Sequence, residues 1–79
     1  MHYVYYLRHQ NNKEFYYGYS NDLERRLKEH QRKDRNWTLV YYEAYRAESD
    51  ARRRERALKH YGQARTHLKN RAKDSLQKK

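Results

Sequence analysis

The chain opens on Tyr3-Val4-Tyr5-Tyr6-Leu7, a run of aromatic and branched side chains that suits a pleated backbone and predicts a strand. Polar residues from His9 to Glu14 interrupt it, with the turn-prone pair Asn11-Asn12 among them. Phe15-Tyr16-Tyr17-Gly18-Tyr19 restores the apolar density and predicts a second strand. So short a connection makes the two an antiparallel hairpin. Alternation along the first strand sends Tyr3, Tyr5 and Leu7 to one face and Val4 and Tyr6 to the other.

From Asn21 the period lengthens. Leu23 and Leu27 share one side and Asp22, Arg26 and His30 another, so residues 22–33 read as a helix. Asn21 is placed to cap it, with Glu24 closing an approximate capping box. Trp37-Thr38-Leu39-Val40-Tyr41-Tyr42 predicts a third strand. Ser49 is placed to cap a helix from Asp50 to about Tyr61, which Gly62 would stop. Ala64, Leu68, Ala72 and Leu76 then recur every four residues and predict a last amphipathic helix. The order is β-β-α-β-α-α. It gives an α/β fold of the α+β kind, a small three-stranded antiparallel sheet packed with three helices. Most of the ten tyrosines are expected to serve that core, ring inward and hydroxyl toward water or a partner.

Composition narrows the chemistry. The 79 residues suit one domain, 1–79, with a thin core. Cysteine is absent, which excludes disulfides, thiol catalysis and cysteine-ligated zinc. The histidines at 2, 9, 60 and 67 show no ligand spacing and read as surface residues. No Gly-rich phosphate loop or serine elbow is present, so nucleotide-driven and cofactor-based reactions are not expected. With neither a signal peptide nor a membrane-spanning stretch, a cytoplasmic location is the expectation.

Charge adds a partner. Twenty Lys and Arg face ten Asp and Glu, a net charge of +10 with histidines neutral. Residues 1–45 hold eight basic and six acidic side chains, whereas residues 46–79 hold twelve and four. So basic a half attracts polyanions, and counterion release from a phosphate backbone supplies affinity without base readout. Arg52, Arg53, Arg56 and Lys59 are the candidate nucleic-acid contacts. No membrane partner is expected, because the apolar positions are needed inside.

Three residues stand out against this background. Glu55 lies between Ala51 and Leu58 at helical spacing, on or beside the apolar side of its helix. A carboxylate there needs a cation: either Lys59 or Arg52, one turn away, or a metal ion. Arg26 sits beside the Leu23 and Leu27 stripe, where it either packs its stem on the core or presents its fork to a phosphate. Gly18 breaks an aromatic strand, which marks a bulge or a close approach by another group.

These residues also carry a resemblance. Tyr3-Val4-Tyr5 and Tyr16-Tyr17-Gly18, separated by a short hairpin, resemble the two motifs of the GIY-YIG nuclease domains. That group includes homing endonucleases, the N-terminal cutting module of the bacterial excision-repair nuclease and short stand-alone bacterial proteins. Gly18 to Leu23, Arg25-Arg26-Leu27 and His30 are similar to the family's first helix and its approach, and Trp37 to Glu43 to its third strand. Ala51, Arg54-Glu55 and Leu58-Lys59 are similar to the helix with the acidic ligand. His60-Tyr61-Gly62 through His67-Leu68-Lys69 resembles the stand-alone members. Tyr3 stands where the family name has glycine, and Tyr17 where it has isoleucine.

The resemblance implies a metal-dependent endonuclease that hydrolyses DNA phosphodiesters with water as nucleophile, in repair or processing. Tyr5 would be general base or water-positioner, with Tyr16 beside it, and Arg26, a bound cation and His30 would favour its phenolate. Arg26 would clamp a phosphate oxygen, Glu55 would hold one Mg²⁺ or Mn²⁺, and Gly18 would be structural. The alternative is a catalytically silent nucleic-acid-binding module, which shares the basic half and has no need of Glu55. A purely structural or protein-interaction domain is the third class.

Overall fold

A computed structural model describes residues 1–11 and 14–71. The elements run β1 (His2–His9), β2 (Phe15–Ser20), α1 (Leu23–Lys33), β3 (Trp37–Tyr45), α2 (Glu48–His60) and α3 (Gly62–Arg71), in the order and of the types that the pattern predicts. Asn12 of the expected turn, and Ala72 and Leu76 of the expected last helix, lie outside the described residues. Among the described residues, no helix is long and apolar enough to cross a membrane.

The three strands are antiparallel in the order β2-β1-β3, which puts the first strand in the middle. That position explains its composition: Val4, Tyr5, Tyr6 and Leu7 are all buried, because both faces of a central strand are covered. Val4 and Tyr6 pack against Ala51 and Leu58 of α2 and Leu68 of α3. Tyr3 and Tyr5 face α1 instead, Tyr5 through a hydrogen bond to His30. The register slips by one residue between Tyr6 and Leu7, which pair with Tyr41 and Leu39. Val40 is the extra residue, and the bulge lets Val40 and Tyr41 both pack on the α2–α3 side.

Helix ends depart from the sequence reading in detail. Asp22 caps α1 in place of Asn21, accepting a hydrogen bond from the Arg25 backbone N–H at 3.1 Å. Ser20 makes this possible by donating to the Asp22 carbonyl and accepting from its N–H, both at 2.9 Å. Helix α2 starts at Glu48, with Ala47 at the cap position and no side-chain cap, so Ser49 lies inside the helix and Ala47 is exposed. It ends at His60 because Tyr61 turns into extended backbone, and Gly62 opens α3 instead of stopping α2. Arg65 then donates to the Leu58 and Lys59 carbonyls at 3.3 and 3.1 Å, supplying partners that the end of a helix lacks.

Two polar ties fix the edges. Arg54 forks onto Glu43 at 2.9 and 3.2 Å, and Tyr45 donates to the same carboxylate at 2.6 Å. Burial opposes the charge on Glu43, yet the Arg54 fork and the tyrosine hydroxyls outweigh it and hold the carboxyl below its usual range. The tie locks α2 to β3. His9 was expected at the surface but is buried, its Nε2 2.6 Å from Asp34 Oδ2 and its ring edge-on to Trp37. An imidazole can enter a core when both ring nitrogens are served, and Asn11 N–H donates to the other at 3.3 Å.

Candidate active site

The hairpin and α1 build one aromatic cluster. Tyr5 of β1 pairs with Gly18 of β2, so its ring lies across a residue without a side chain. A Cβ at Gly18 would fall 2.4 Å from Tyr5 Cζ and 2.8 Å from Tyr16 Cε1. Close approach, one of the two readings of Gly18, is therefore the observed one. The Tyr5 and Tyr16 ring centroids are 6.0 Å apart and tilted by 31°. His30, from the second half of α1, closes the triangle at 5.8 Å from Tyr5 and 4.8 Å from Tyr16.

Hydrogen bonds give the cluster a direction. Tyr5 Oη lies 3.0 Å from His30 Nε2. Arg26, one turn earlier on α1, has its guanidinium beside the same phenol and donates to Glu29 at 3.0 Å. Where Nδ1 carries the imidazole proton, Nε2 accepts from the phenol. Burial, and then the charges of Arg26 and Lys33, lower the His30 pKa, which keeps the imidazole neutral and able to accept.

Among the protein groups around Tyr5, burial dominates and pushes the phenol up to about 12, while Arg26 pulls in the opposite direction without prevailing. So raised, Tyr5 is a hydroxyl at neutral pH. Arg26 is likewise held in its charged form, first by Tyr5 and then by Glu29. Glu29 is the partner that sequence reading missed; its spacing three residues from Arg26 was the available signal.

Glu55 stands on α2, and the contact that ties it to the hairpin runs through Lys59. Of its two possible cations the structure shows Lys59, whose ammonium lies 3.2 Å from Glu55 Oε2. The Lys59 ammonium is also 5.9 Å from the Tyr16 ring centroid. The Glu55 side chain is 21% exposed, open enough for water and ions to reach it. Among the described residues, no group of three or more His, Cys, Asp and Glu could hold a metal. Any ion here would rely on one carboxylate, with water or substrate oxygens for the rest. Such a donor set fits a hard cation that keeps its waters, Mg²⁺ or Mn²⁺, and it does not fit zinc.

The remaining arginines of α2 divide by partner. Arg54 is spent on Glu43. Arg52 stacks over the Tyr19 ring at 4.3 Å and pairs with Glu48, and Arg53 pairs with Asp50. Arg52, Arg53 and Arg56 are exposed around a shallow depression together with Ser49. Surface pairs at helical spacing are worth only about 0.3–0.5 kcal/mol, so a phosphate would displace them readily. Tyr19 donates to Glu48 at 3.2 Å, and with that proton committed its oxygen accepts from His2 Nδ1 at 2.8 Å, which fixes the platform under Arg52.

Residues 1–70 match the GIY-YIG catalytic domain. No curated protein and no solved structure matches the chain.

Proposed function

The chain belongs to the GIY-YIG catalytic domain family, and on that footing we propose that it is a metal-dependent endonuclease hydrolysing DNA phosphodiester bonds with water as nucleophile. The contact that carries this reading is the 3.0 Å link between Tyr5 Oη and His30 Nε2, with Arg26 at the same phenol. It makes Tyr5 a relay, which suits a phenol pushed up to about 12 better than service as a free phenolate.

The step runs as follows. Water, held at Tyr5 and Tyr16, attacks phosphorus while its proton moves to the Tyr5 oxygen. The Tyr5 proton passes to His30 Nε2, which becomes imidazolium. The bond from phosphorus to the 3′ oxygen breaks, and that oxygen takes a proton from solvent, leaving a 5′ phosphate and a 3′ hydroxyl. Arg26 faces a non-bridging oxygen where negative charge grows and later steadies the phenol. Glu55 would hold a Mg²⁺ or Mn²⁺ ion, which supplies charge relief at the phosphate and the leaving oxygen. Arg52, Arg53 and Arg56 would carry the flanking backbone, without base readout. Work in DNA repair or processing suits a small cutting module of this kind.

A second reading, nucleic-acid binding without cleavage, draws on the Glu55–Lys59 ion pair, which gives the carboxylate a structural partner. Plasmid nicking in Mg²⁺ separates the two. The nuclease reading expects cleavage that chelator stops, and a loss of about a thousandfold or more in Glu55→Gln, the scale of several kcal/mol of charge stabilisation, with DNA binding retained. A Glu55→Gln chain that nicks like the wild type removes Glu55 from the metal site. A wild type that binds DNA and never cuts it establishes the second reading.

A further inference from the structure

Lys59 is one turn beyond Glu55, and its ammonium touches two things: the Glu55 carboxylate at 3.2 Å and the neighbourhood of the Tyr16 ring at 5.9 Å. The first is the usual i,i+4 pair of a helix surface; the second places the ammonium beside the hairpin. The end of α2 is held by Arg65 on the Lys59 carbonyl, so the backbone beneath this side chain is anchored while the side chain itself stays 47% exposed. A pair of this kind is weak, because an exposed lysine at helical spacing from a glutamate loses its entropy for little Coulomb gain.

We propose that Lys59 is an exchangeable counter-cation of the site: its ammonium neutralises Glu55 in the metal-free chain, and a divalent ion displaces it onto the DNA phosphate beside Tyr16. This rests on the reading of Glu55 as the metal ligand. The physical reason is competition for one carboxylate. The Lys59 ammonium sits on one oxygen of Glu55, Oε2, and a divalent cation on the same carboxylate would meet that like charge a few ångströms away, while itself gaining more from the carboxylate. Once displaced, Lys59 remains tethered one helical turn away, on the side where Tyr16 lies, and a phosphate is the nearest new partner of suitable charge. The exchange protects a half-buried carboxylate from standing alone when no metal is bound. It also ties tight metal binding to the presence of DNA, because the phosphate gives the released ammonium somewhere to go.

The test is Mn²⁺ binding to the full chain without DNA, followed by the loss of free-ion paramagnetic signal, for wild type, Lys59→Met, Lys59→Arg and Glu55→Gln. Removing the competing charge in Lys59→Met is expected to tighten Mn²⁺ binding by about three- to tenfold. Lys59→Arg keeps the charge and is expected to bind like the wild type. Glu55→Gln is expected to lose the site. Wild-type affinity or weaker in Lys59→Met, with the site lost in Glu55→Gln, overturns the exchange and leaves the proposed function standing. Undiminished binding in Glu55→Gln overturns the metal assignment itself. A second arm adds a duplex oligonucleotide: the wild type is expected to bind Mn²⁺ more tightly with DNA than without. An equal gain in Lys59→Met would show that the released ammonium plays no part.

Discussion

Two pairs of tyrosines lie side by side on the same two strands and do opposite things. Tyr5 and Tyr16 face α1, with tilted rings 6.0 Å apart, and Tyr5 is hydrogen-bonded to His30. Tyr6 and Tyr17 face α2 and α3, with stacked rings 4.7 Å apart and only 3° between their planes. Burial raises the pKa of both Tyr5 and Tyr6. The difference lies in what the hydroxyl meets. Tyr5 finds an imidazole at 3.0 Å and a guanidinium beside it. The buried Tyr6 hydroxyl makes no well-formed hydrogen bond among the described residues, and its ring serves packing. One residue of register separates a phenol that meets an imidazole from a phenol that fills space.

The largest contrast is expected in rate. Tyr5→Phe removes the relay and is expected to slow nicking by about 10²- to 10⁴-fold, the range for a positioned acid–base group, with a nearly unchanged urea midpoint. Tyr6→Phe is expected to cut at the wild-type rate. Equal rates in the two variants would erase the distinction between the faces.

Gly18 probes how tightly the first pair is set. An alanine Cβ would meet Tyr5 Cζ at 2.4 Å, so the ring must shift. Gly18→Ala is expected to lower stability by about 1–3 kcal/mol and turnover by roughly a hundredfold, the cost of misplacing a reacting group by about 1 Å. A chain that melts and cuts as before would show that the ring has room to spare.

The pH dependence sharpens the role of His30. Its pKa is lowered, first by burial, so the imidazole stays an acceptor down to a pH below its ordinary value of about 6.5. The acid limb of kcat/KM is expected below that point, with activity lost as pH falls through it. A limb above pH 7 would mean that the proton acceptor is some other group. The smallest effect belongs to the packed face. Losing a hydroxyl without a good partner, Tyr6→Phe is expected to unfold at an equal or higher urea concentration, by at most about 1 kcal/mol. A clear loss of stability would mean that the hydroxyl is satisfied after all.

Much of the architecture was legible in the residues. Strand and helix order followed from period, and the faces of β1 from alternation, because those signals are local. Glu55, Arg26 and Gly18 stood out because each broke its own local pattern. What local pattern left open was decided by partners distant in sequence. The choice of Asp22 over Asn21 as the cap came from the Ser20 turn, and the end of α2 at His60 from Tyr61 and Arg65. His9 went inside because Asp34 and Asn11 were there to meet it.

By itself, then, the sequence determined which residue types lay on which faces, the excess of positive charge in the second half, and the family motifs. Only the tertiary structure decided that burial pushes the Tyr5 phenol up, that its oxygen meets His30, and that Lys59 reaches both Glu55 and the neighbourhood of the Tyr16 ring. The reason is that protonation and pairing depend on burial and on charges a few ångströms away, and those distances exist only once strands and helices from different parts of the chain have closed on one another.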